Sequence, residues 1–237
     1  MAIDLGAGSG RVIAGKINAT EAGELVEDSL LELEELHRFE NNGSDLPSGS
    51  YWNIIGIYQD ILLGLRKGIA KYGDQVVSIG IDTWGCDYGL IDGSGEMVGN
   101  PHQYRDARSE VMAEAADRIF GQEKIYASTG VMPAFYNTSG HLLAEKTNKS
   151  KSLSVASHLL FIPDLLGYFL TGKMANEQTV ASTSQLYNPL RKDWAWDVID
   201  GLGLPPHIFG AIIKPGEILG SLSSELSVQL GAKTEIR

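Results

Sequence analysis

The sequence has only one cysteine, Cys86, in 237 residues. A single cysteine excludes a disulfide within the chain and is typical of a reducing compartment. The first residues include neither the basic segment nor the apolar segment of a secretory signal. From these absences we expect a cytoplasmic protein.

Long hydrophobic runs and basic clusters are also lacking. The longest apolar stretch, residues 159–170, contains Pro163 and Asp164 and is too short and too polar to span a bilayer. The net charge of −11, with no basic stripe, argues against nucleic acid as a partner. The five histidines show no spacing typical of metal ligands, so we expect no zinc site. With 43% hydrophobic residues, the chain can form a substantial core.

A glycine-rich turn near the start of the chain is the most informative motif. Residues 3–11 read Ile-Asp-Leu-Gly-Ala-Gly-Ser-Gly-Arg and lie between two apolar segments. The three glycines let the backbone take positive φ and bring its N–H groups close to an anion. Ser9 adds a hydroxyl, Arg11 a positive charge, and Asp4 an acid that can hold hydrated Mg²⁺. The pattern predicts a nucleoside triphosphate site, with a plain hairpin turn as the alternative.

Two other phosphate-binding motifs do not fit this segment. No Gly-Lys-Ser/Thr ends it, so it is not a Walker A loop. Residues 12–17 that follow are typical of a strand rather than a helix, which excludes the Rossmann fingerprint. A strand, a glycine turn and a second strand are the arrangement used by actin-like ATPases and sugar kinases.

Hydrophobic periodicity predicts a mixed sheet in the first hundred residues. After the hairpin, we expect a strand over 30–39, a helix over 52–72, and strands over 76–81 and 87–91. Antiparallel strands beside a crossover helix are typical of an α/β domain. The second half is richer in helices, predicted over 109–120, 138–149, 159–170 and 194–202, with a polar link at 150–154. These helices would form an insert or a cap beside the sheet.

Several segments together resemble the FGGY carbohydrate kinases, in the order and spacing of that family. They are Asp4–Arg11, His37-Arg38-Phe39, Gly80-Ile81-Asp82-Thr83-Trp84-Gly85-Cys86-Asp87, Tyr104-Arg105-Asp106-Ala107-Arg108, Ile162-Pro163-Asp164, Leu170-Thr171-Gly172-Lys173 and Pro215-Gly216-Glu217. Within the family, the Asp-Thr-Trp-Gly block is most similar to the branch that acts on L-rhamnulose.

The resemblance implies a fold and an activity. The fold would be a ribonuclease H-like (actin-like ATPase) domain, with a mixed β-sheet flanked by helices and a helical insert. The activity would be transfer of the ATP γ-phosphoryl group to a primary hydroxyl of a ketose, with Mg²⁺. For the L-rhamnulose branch, the product is L-rhamnulose 1-phosphate.

The resemblance also implies roles for particular residues. The ATP phosphates would contact Ala7, Gly8, Ser9, Gly10 and Arg11.

Three further residues would complete the site. Asp4 would hold Mg²⁺ through water, and Gly85 would let the sugar approach the backbone. Trp84 would present an apolar face to the sugar. A tryptophan of the core is the competing interpretation of Trp84, as a solvated surface charge is for Arg11. The block at residues 104–108 is interpreted as structural, and Cys86 as a small buried hydrophobe rather than a nucleophile.

One expected element is missing from the sequence. The family's general base is an aspartate in a His-Asp-Thr context that opens a second domain, and no such motif occurs before Arg237. We therefore expect residues 1–237 to form the N-terminal domain, with a ribonuclease H-like core over roughly 1–100 and a helix-rich second half. Alone it would be nearly inactive, and its own C-terminal domain would be its partner.

Three alternatives remain open at this point. The chain could belong to a kinase for another ketose, such as L-fuculose or D-xylulose. It could be an actin-like protein that binds ATP as a conformational switch. It could also be a stand-alone sugar-binding module.

Overall fold

The computed structural model describes residues 1–17, 31–232 and 234–236. The strands in this part of the chain are β1 (Ala2–Leu5), β2 (Ser9–Lys16), β3 (Glu32–Glu40), β4 (Ser44–Leu46), β5 (Gly49–Tyr51), β6 (Ser78–Asp82), β7 (Tyr88–Asp92), β8 (Ala156–Phe161), β9 (Asn176–Glu177), β10 (Tyr187–Asn188), β11 (Asp193–Trp194), β12 (Ile212–Ile213), β13 (Gly220–Ser221) and β14 (Glu235–Ile236). The α-helices are α1 (Ile54–Tyr72), α2 (Met112–Ile119), α3 (Gln122–Thr129), α4 (Thr138–Thr147), α5 (Lys151–Val155), α6 (Ile162–Thr171), α7 (Gln178–Ala181), α8 (Trp196–Gly201) and α9 (Ser224–Leu230).

A six-stranded mixed sheet, in the order β13-β14-β6-β1-β2-β3, forms the centre of the fold. Strands β1, β2 and β3 are antiparallel neighbours, whereas β1, β6 and β14 run parallel to one another. The predicted hairpin and the predicted mixed sheet are therefore confirmed. The parallel strands bring the ends of β1, β6 and β14 to one edge, which is the usual place for ligands in such sheets.

Helix α1 covers one face of this sheet. Asn53 caps the start of the helix, where its side chain accepts the Gly56 N–H, and Gly73 caps the end. Ile57, Ile61 and other apolar residues at helical spacing are buried in the same cluster as Ile3 of β1. The helix predicted over 52–72 and the strand predicted over 76–81 are confirmed within two residues.

A second core lies around β7 and β8. These two strands are antiparallel neighbours, although 63 residues lie between Asp92 and Ala156 in the chain. Its buried side chains come from these strands, from α4 and α8, and from the segment around Trp194. The intervening helices α2 to α5 fold against this pair. The first core instead receives α6, α9 and β14, so residues at the end of the chain pack beside those at its start.

Some predicted elements differ from the structure. Residues 159–161 were expected to begin a helix, but they end β8, and α6 begins only at Ile162. Residues 150–154 were expected to be a polar link, yet most of them form α5. The strand predicted over 30–39 begins at Glu32, and Leu30 lies outside the described residues. In the described ranges, we find no helix with both the length and the apolar character needed to cross a membrane.

Candidate functional site

The glycine-rich turn lies at the carboxyl end of β1. Gly6 donates its N–H to the carbonyl oxygen of Ser9 at 2.8 Å, which closes the turn. Glycine permits positive φ, but none of Gly6, Gly8 and Gly10 adopts it. The N–H groups of Ala7 and Gly8 have no hydrogen-bond partner among the described residues. Two backbone donors are thus available to an anion even without a left-handed residue.

Two of these glycines serve different physical needs. A Cβ on Gly10 would overlap the side chains of Phe39 and Leu5, so this glycine permits close packing under the turn. A Cβ on Gly8 would meet no atom within 4 Å. Gly8 therefore leaves open space beside the free N–H groups.

Arg11 and Asp4 face each other across the hairpin. The Arg11 Nε donates to the Asp4 Oδ2 at 2.6 Å, and both side chains are about 40% exposed. The terminal guanidinium nitrogens of Arg11 have no partner among the described residues. Asp4 is also the register partner of Asp82, at the ends of parallel strands β1 and β6. One guanidinium and two carboxylates therefore lie together at this edge.

Asn41 anchors the turn from the end of β3. Its Nδ2 donates to the Gly6 carbonyl oxygen at 2.9 Å, and its backbone N–H donates to the Gly8 carbonyl oxygen at 3.2 Å. The side chain is almost fully buried, and its Oδ1 has no partner among the described residues. The sequence analysis did not identify this asparagine as part of the site. Asn41 lies 33 residues from Gly8 in the chain, so no local pattern indicated that it contacts the turn.

A cavity of about 350 Å³ opens at the carboxyl end of β6. Its wall combines acids, threonines and apolar side chains from β6, α6, α7 and the loop before β13. The lining residues include Asp82, Thr83, Gly85, Asp164, Thr183 and Lys214. The cavity therefore lies at the end of β6 that holds Asp82, and Asp82 is the register partner of Asp4.

A strained turn forms one side of this cavity. Cys86 has φ of 73°, a left-handed conformation that few non-glycine residues adopt. Its N–H donates to the Thr183 Oγ1 at 3.0 Å, and its carbonyl oxygen accepts from the Thr138 Oγ1 at 2.6 Å. Burial raises the pKa of the Cys86 thiol to about 11. The thiol is thus protonated at neutral pH, consistent with its interpretation as a buried hydrophobe.

Trp84 is fixed by a buried carboxylate. The Asp87 Oδ2 accepts the indole N–H of Trp52 at 2.6 Å and that of Trp84 at 2.8 Å. The two indole rings pack with centroids 4.3 Å apart. Burial raises the pKa of Asp87 to about 7, although both indole donors act to lower it. Trp84 is half-buried, so it contributes to packing and still has part of its surface open.

Asp164 supplies a second buried carboxyl group in the cavity wall. Its Oδ1 accepts the Glu177 N–H at 3.0 Å, while its Oδ2 is buried without a partner among the described residues. Burial raises the pKa of Asp164 well above its ordinary value. This group stabilises the junction between α6 and α7 and adds polarity to the cavity.

The block at residues 104–108 lies in a separate polar network. Asp106 accepts the backbone N–H groups of Ser50 at 2.7 Å and of Arg108 at 2.9 Å, and Arg108 contacts Glu145. These contacts join the β5 hairpin to α4. They agree with the structural interpretation of the block.

No group of three or more His, Cys, Asp or Glu side chains within the described ranges is arranged to hold a metal ion. Mg²⁺ does not need such a group, because it keeps several waters and is often bound through one or two carboxylates plus phosphates. The pair Asp4 and Asp82 fits that requirement. The neighbouring N–H groups of Ala7 and Gly8 fit the phosphates that would accompany the ion.

Comparisons with known sequences match the entire chain. The family description "FGGY family of carbohydrate kinases, N-terminal domain" matches residues 1–237. A rhamnulokinase from Oceanobacillus iheyensis is 38% identical over 231 residues, which cover 98% of this chain and 47% of that protein. One from Halalkalibacterium halodurans is 36% identical over 236 residues, which cover 100% of this chain and 48% of that protein. The chain spans about half the length of the curated relatives it matches.

Solved structures give the same fold. A ligand-bound xylulose kinase from Lactobacillus acidophilus superposes with a TM-score of 0.80 at 17% identity, over 99% of this chain and 46% of that one. Plasmodium falciparum glycerol kinase with ADP superposes with a TM-score of 0.77 at 17% identity, over 99% of this chain and 46% of that one. The predicted ribonuclease H-like (actin-like ATPase) fold is thereby confirmed. The chain belongs to the FGGY family of carbohydrate kinases and corresponds to its N-terminal domain.

Proposed function

We propose that this chain is the N-terminal domain of an ATP-dependent rhamnulokinase, which transfers the γ-phosphoryl group to O1 of L-rhamnulose. The observation that carries the proposal is the juxtaposition at one sheet edge of a turn with two free N–H groups and a cavity lined by Gly85. Relatives named rhamnulokinase support the choice of sugar. The family's metabolic role supports the cytoplasm as the compartment.

The hairpin would bind the phosphates of ATP. The Ala7 and Gly8 N–H groups, the Ser9 hydroxyl and the terminal nitrogens of Arg11 would donate to phosphate oxygens, with Gly10 allowing the turn to pack closely. Charge-assisted hydrogen bonds of this kind are about twice as strong as neutral ones. Phosphoryl transfer depends mainly on such positioning and charge neutralisation.

Asp4 would hold Mg²⁺ through water, with Asp82 beside it. A bound Mg²⁺ neutralises phosphate charge and orients the transferred group. Because the Asp4–Arg11 pair is well exposed, its two members can separate at little cost when phosphates arrive. The hairpin would then present a cation to the phosphates and a carboxylate to the metal.

The cavity at the end of β6 would hold the ketose. Gly85 lies in its wall. Trp84, the residue before it, is not among the lining residues and would offer its remaining exposed surface to the apolar side of the sugar from outside this wall. The general base that takes the hydroxyl proton would come from an aspartate of a C-terminal domain, as the family resemblance implies. The domain described here would therefore bind and orient, while the proton transfer would need its partner.

A coupled ADP-release assay tests this proposal. The protein carrying its C-terminal domain is given L-rhamnulose, L-fuculose, D-xylulose or glycerol, with residues 1–237 alone as the control. Preference for L-rhamnulose with a silent control supports the proposal. Preference for L-fuculose or D-xylulose assigns another ketose. ADP release that ignores every sugar favours the actin-like switch, and sugar binding without phosphorylation favours a binding module.

A further inference from the structure

The strained turn after β6 is held by the second half of the chain. A non-glycine residue at positive φ costs about 1–3 kcal/mol by itself and persists only where its surroundings fix it. Cys86 meets this condition because both of its backbone groups are bound by threonine hydroxyls. Thr138 opens α4, and Thr183 follows α7, so neither lies near Cys86 in the sequence.

Thr183 also occupies the space beside Gly85. A Cβ on Gly85 would lie 2.7 Å from the Thr183 Oγ1 and 2.9 Å from its Cβ and Cγ2. The absence of a side chain at position 85 therefore makes room for Thr183, in addition to any room it leaves for a sugar. Both residues line the 350 Å³ cavity.

The hydroxyl of Thr183 is already engaged within the protein. It donates to the Val180 carbonyl oxygen at 2.8 Å and accepts the Cys86 N–H at 3.0 Å. The preceding N–H in the turn, that of Gly85, has no partner among the described residues. The Thr183 hydroxyl is thus used to fix the turn, whereas the Gly85 N–H remains available to a ligand in the cavity.

We propose that Thr183 is a positioning residue for the ketose, which holds the Gly85–Cys86 turn so that the Gly85 N–H donates to an oxygen of the sugar. This inference rests on the proposed function, because it assigns the cavity to a ketose. The free donor requires an acceptor, and a hydroxyl or carbonyl oxygen of a ketose supplies one. Thr183 itself touches no reacting atom.

The test compares three variants of the kinase that carries its C-terminal domain. Thr183→Val keeps the shape but removes the hydroxyl, and Thr183→Ser keeps the hydroxyl. Thr171→Val is the matched control, because the Thr171 Oγ1 likewise donates to a helix carbonyl at 2.8 Å and accepts a backbone N–H at 3.0 Å. The readouts are KM for ketose, KM for ATP, and hydrogen–deuterium exchange of the peptide spanning residues 83–88.

Thr183→Val is expected to raise KM for the ketose about tenfold, the scale of one displaced hydrogen bond, and to leave KM for ATP within about twofold. Exchange at residues 83–88 should increase with it. Thr183→Ser should restore most of both properties, and Thr171→Val should change neither. Unchanged exchange, or equal rises in both KM values, would overturn the inference. Failure of the unmodified kinase to use any ketose would instead refute the proposed function, and the inference with it.

Discussion

The buried carboxyl group of Asp87 should give the stability of this protein a distinctive pH dependence. Burial raises the pKa of Asp87 from its ordinary value of 3.8 to about 7 in the folded chain, with the indole N–H groups of Trp52 and Trp84 acting in the opposite direction. Between these two values the folded state holds a proton that the unfolded state has lost. Stability from this group is therefore present at low pH and is lost as the pH rises toward 7.

The size of the effect follows from the shift. Each pH unit between the two pKa values corresponds to about 1.4 kcal/mol, and the whole interval between them to about 4 kcal/mol. Asp87→Asn keeps a carbonyl oxygen that can accept from both indoles, but it cannot ionise. We expect the free energy of unfolding of the wild type, relative to this variant, to fall by about 1 kcal/mol per pH unit between pH 4.5 and 6.5.

Urea unfolding at several pH values, followed by tryptophan fluorescence, measures this difference. Asp92→Asn is the control, because hydrogen bonds from Ser94 and Glu96 lower the pKa of Asp92. That group loses its contribution only as the pH falls below its ordinary value, outside the window. The control should therefore run parallel to the wild type above pH 4.5. If Asp87→Asn also ran parallel, Asp87 would be ionised throughout, and the burial argument would be refuted.

Further predictions concern the glycine-rich turn and the thiol. Gly10→Ala should destabilise the domain by about 1–3 kcal/mol through overpacking. Gly8→Ala, in open space, should change stability by less than about 0.5 kcal/mol and still raise KM for ATP. Thermal unfolding measures the effects on stability, and steady-state kinetics measure the effect on KM. Asn41→Ala should raise KM for ATP about fivefold by freeing the turn, with KM for ketose unchanged; a change in ketose KM alone would contradict its assignment as the anchor of this turn. Cys86 should resist iodoacetamide at pH 8 in the folded protein and react after unfolding, as mass spectrometry can show; rapid labelling of the folded chain would contradict the raised pKa.

Local patterns were enough to predict the elements that form the sheet edge with the glycine-rich turn. The β1–β2 hairpin and α1 carry their own signals, an apolar–glycine–apolar segment in one and regular isoleucine spacing in the other. At residues 159–161, however, a continuous apolar run has the same composition in a buried strand as in a buried helix. Only pairing with β7, which is remote in the sequence, makes it a strand.

Two other features of the sequence were ambiguous for equally specific reasons. The polar composition of residues 150–154 gave no indication of the short helix α5. Ser150 caps this helix, and Leu153, the single apolar residue of the segment, anchors it in the core. The glycines of the turn permit positive φ, but Gly10 is required by packing against Phe39 and Leu5 instead. Backbone freedom and the need for space cannot be distinguished from the residue type alone.

The candidate site was predictable where its residues are contiguous and not where they are distant. Residues 7–11 and 84–85 stand in recognisable segments. Asn41 and Thr183, which hold those segments in place, are separated from them by 30 residues or more and share no motif with them. Their contribution depends on tertiary contacts that a single sequence does not display.

The most direct test of the account is the separation of the two substrates between the hairpin and the cavity. The measurement is steady-state KM for ATP and for L-rhamnulose in the kinase with its C-terminal domain, comparing the wild type with Arg11→Ala. Loss of a charge-assisted hydrogen bond should raise KM for ATP by about 10-fold to 100-fold, and KM for L-rhamnulose should stay within about twofold. Equal rises in both, or a change confined to the sugar, would contradict the assignment of the hairpin to ATP.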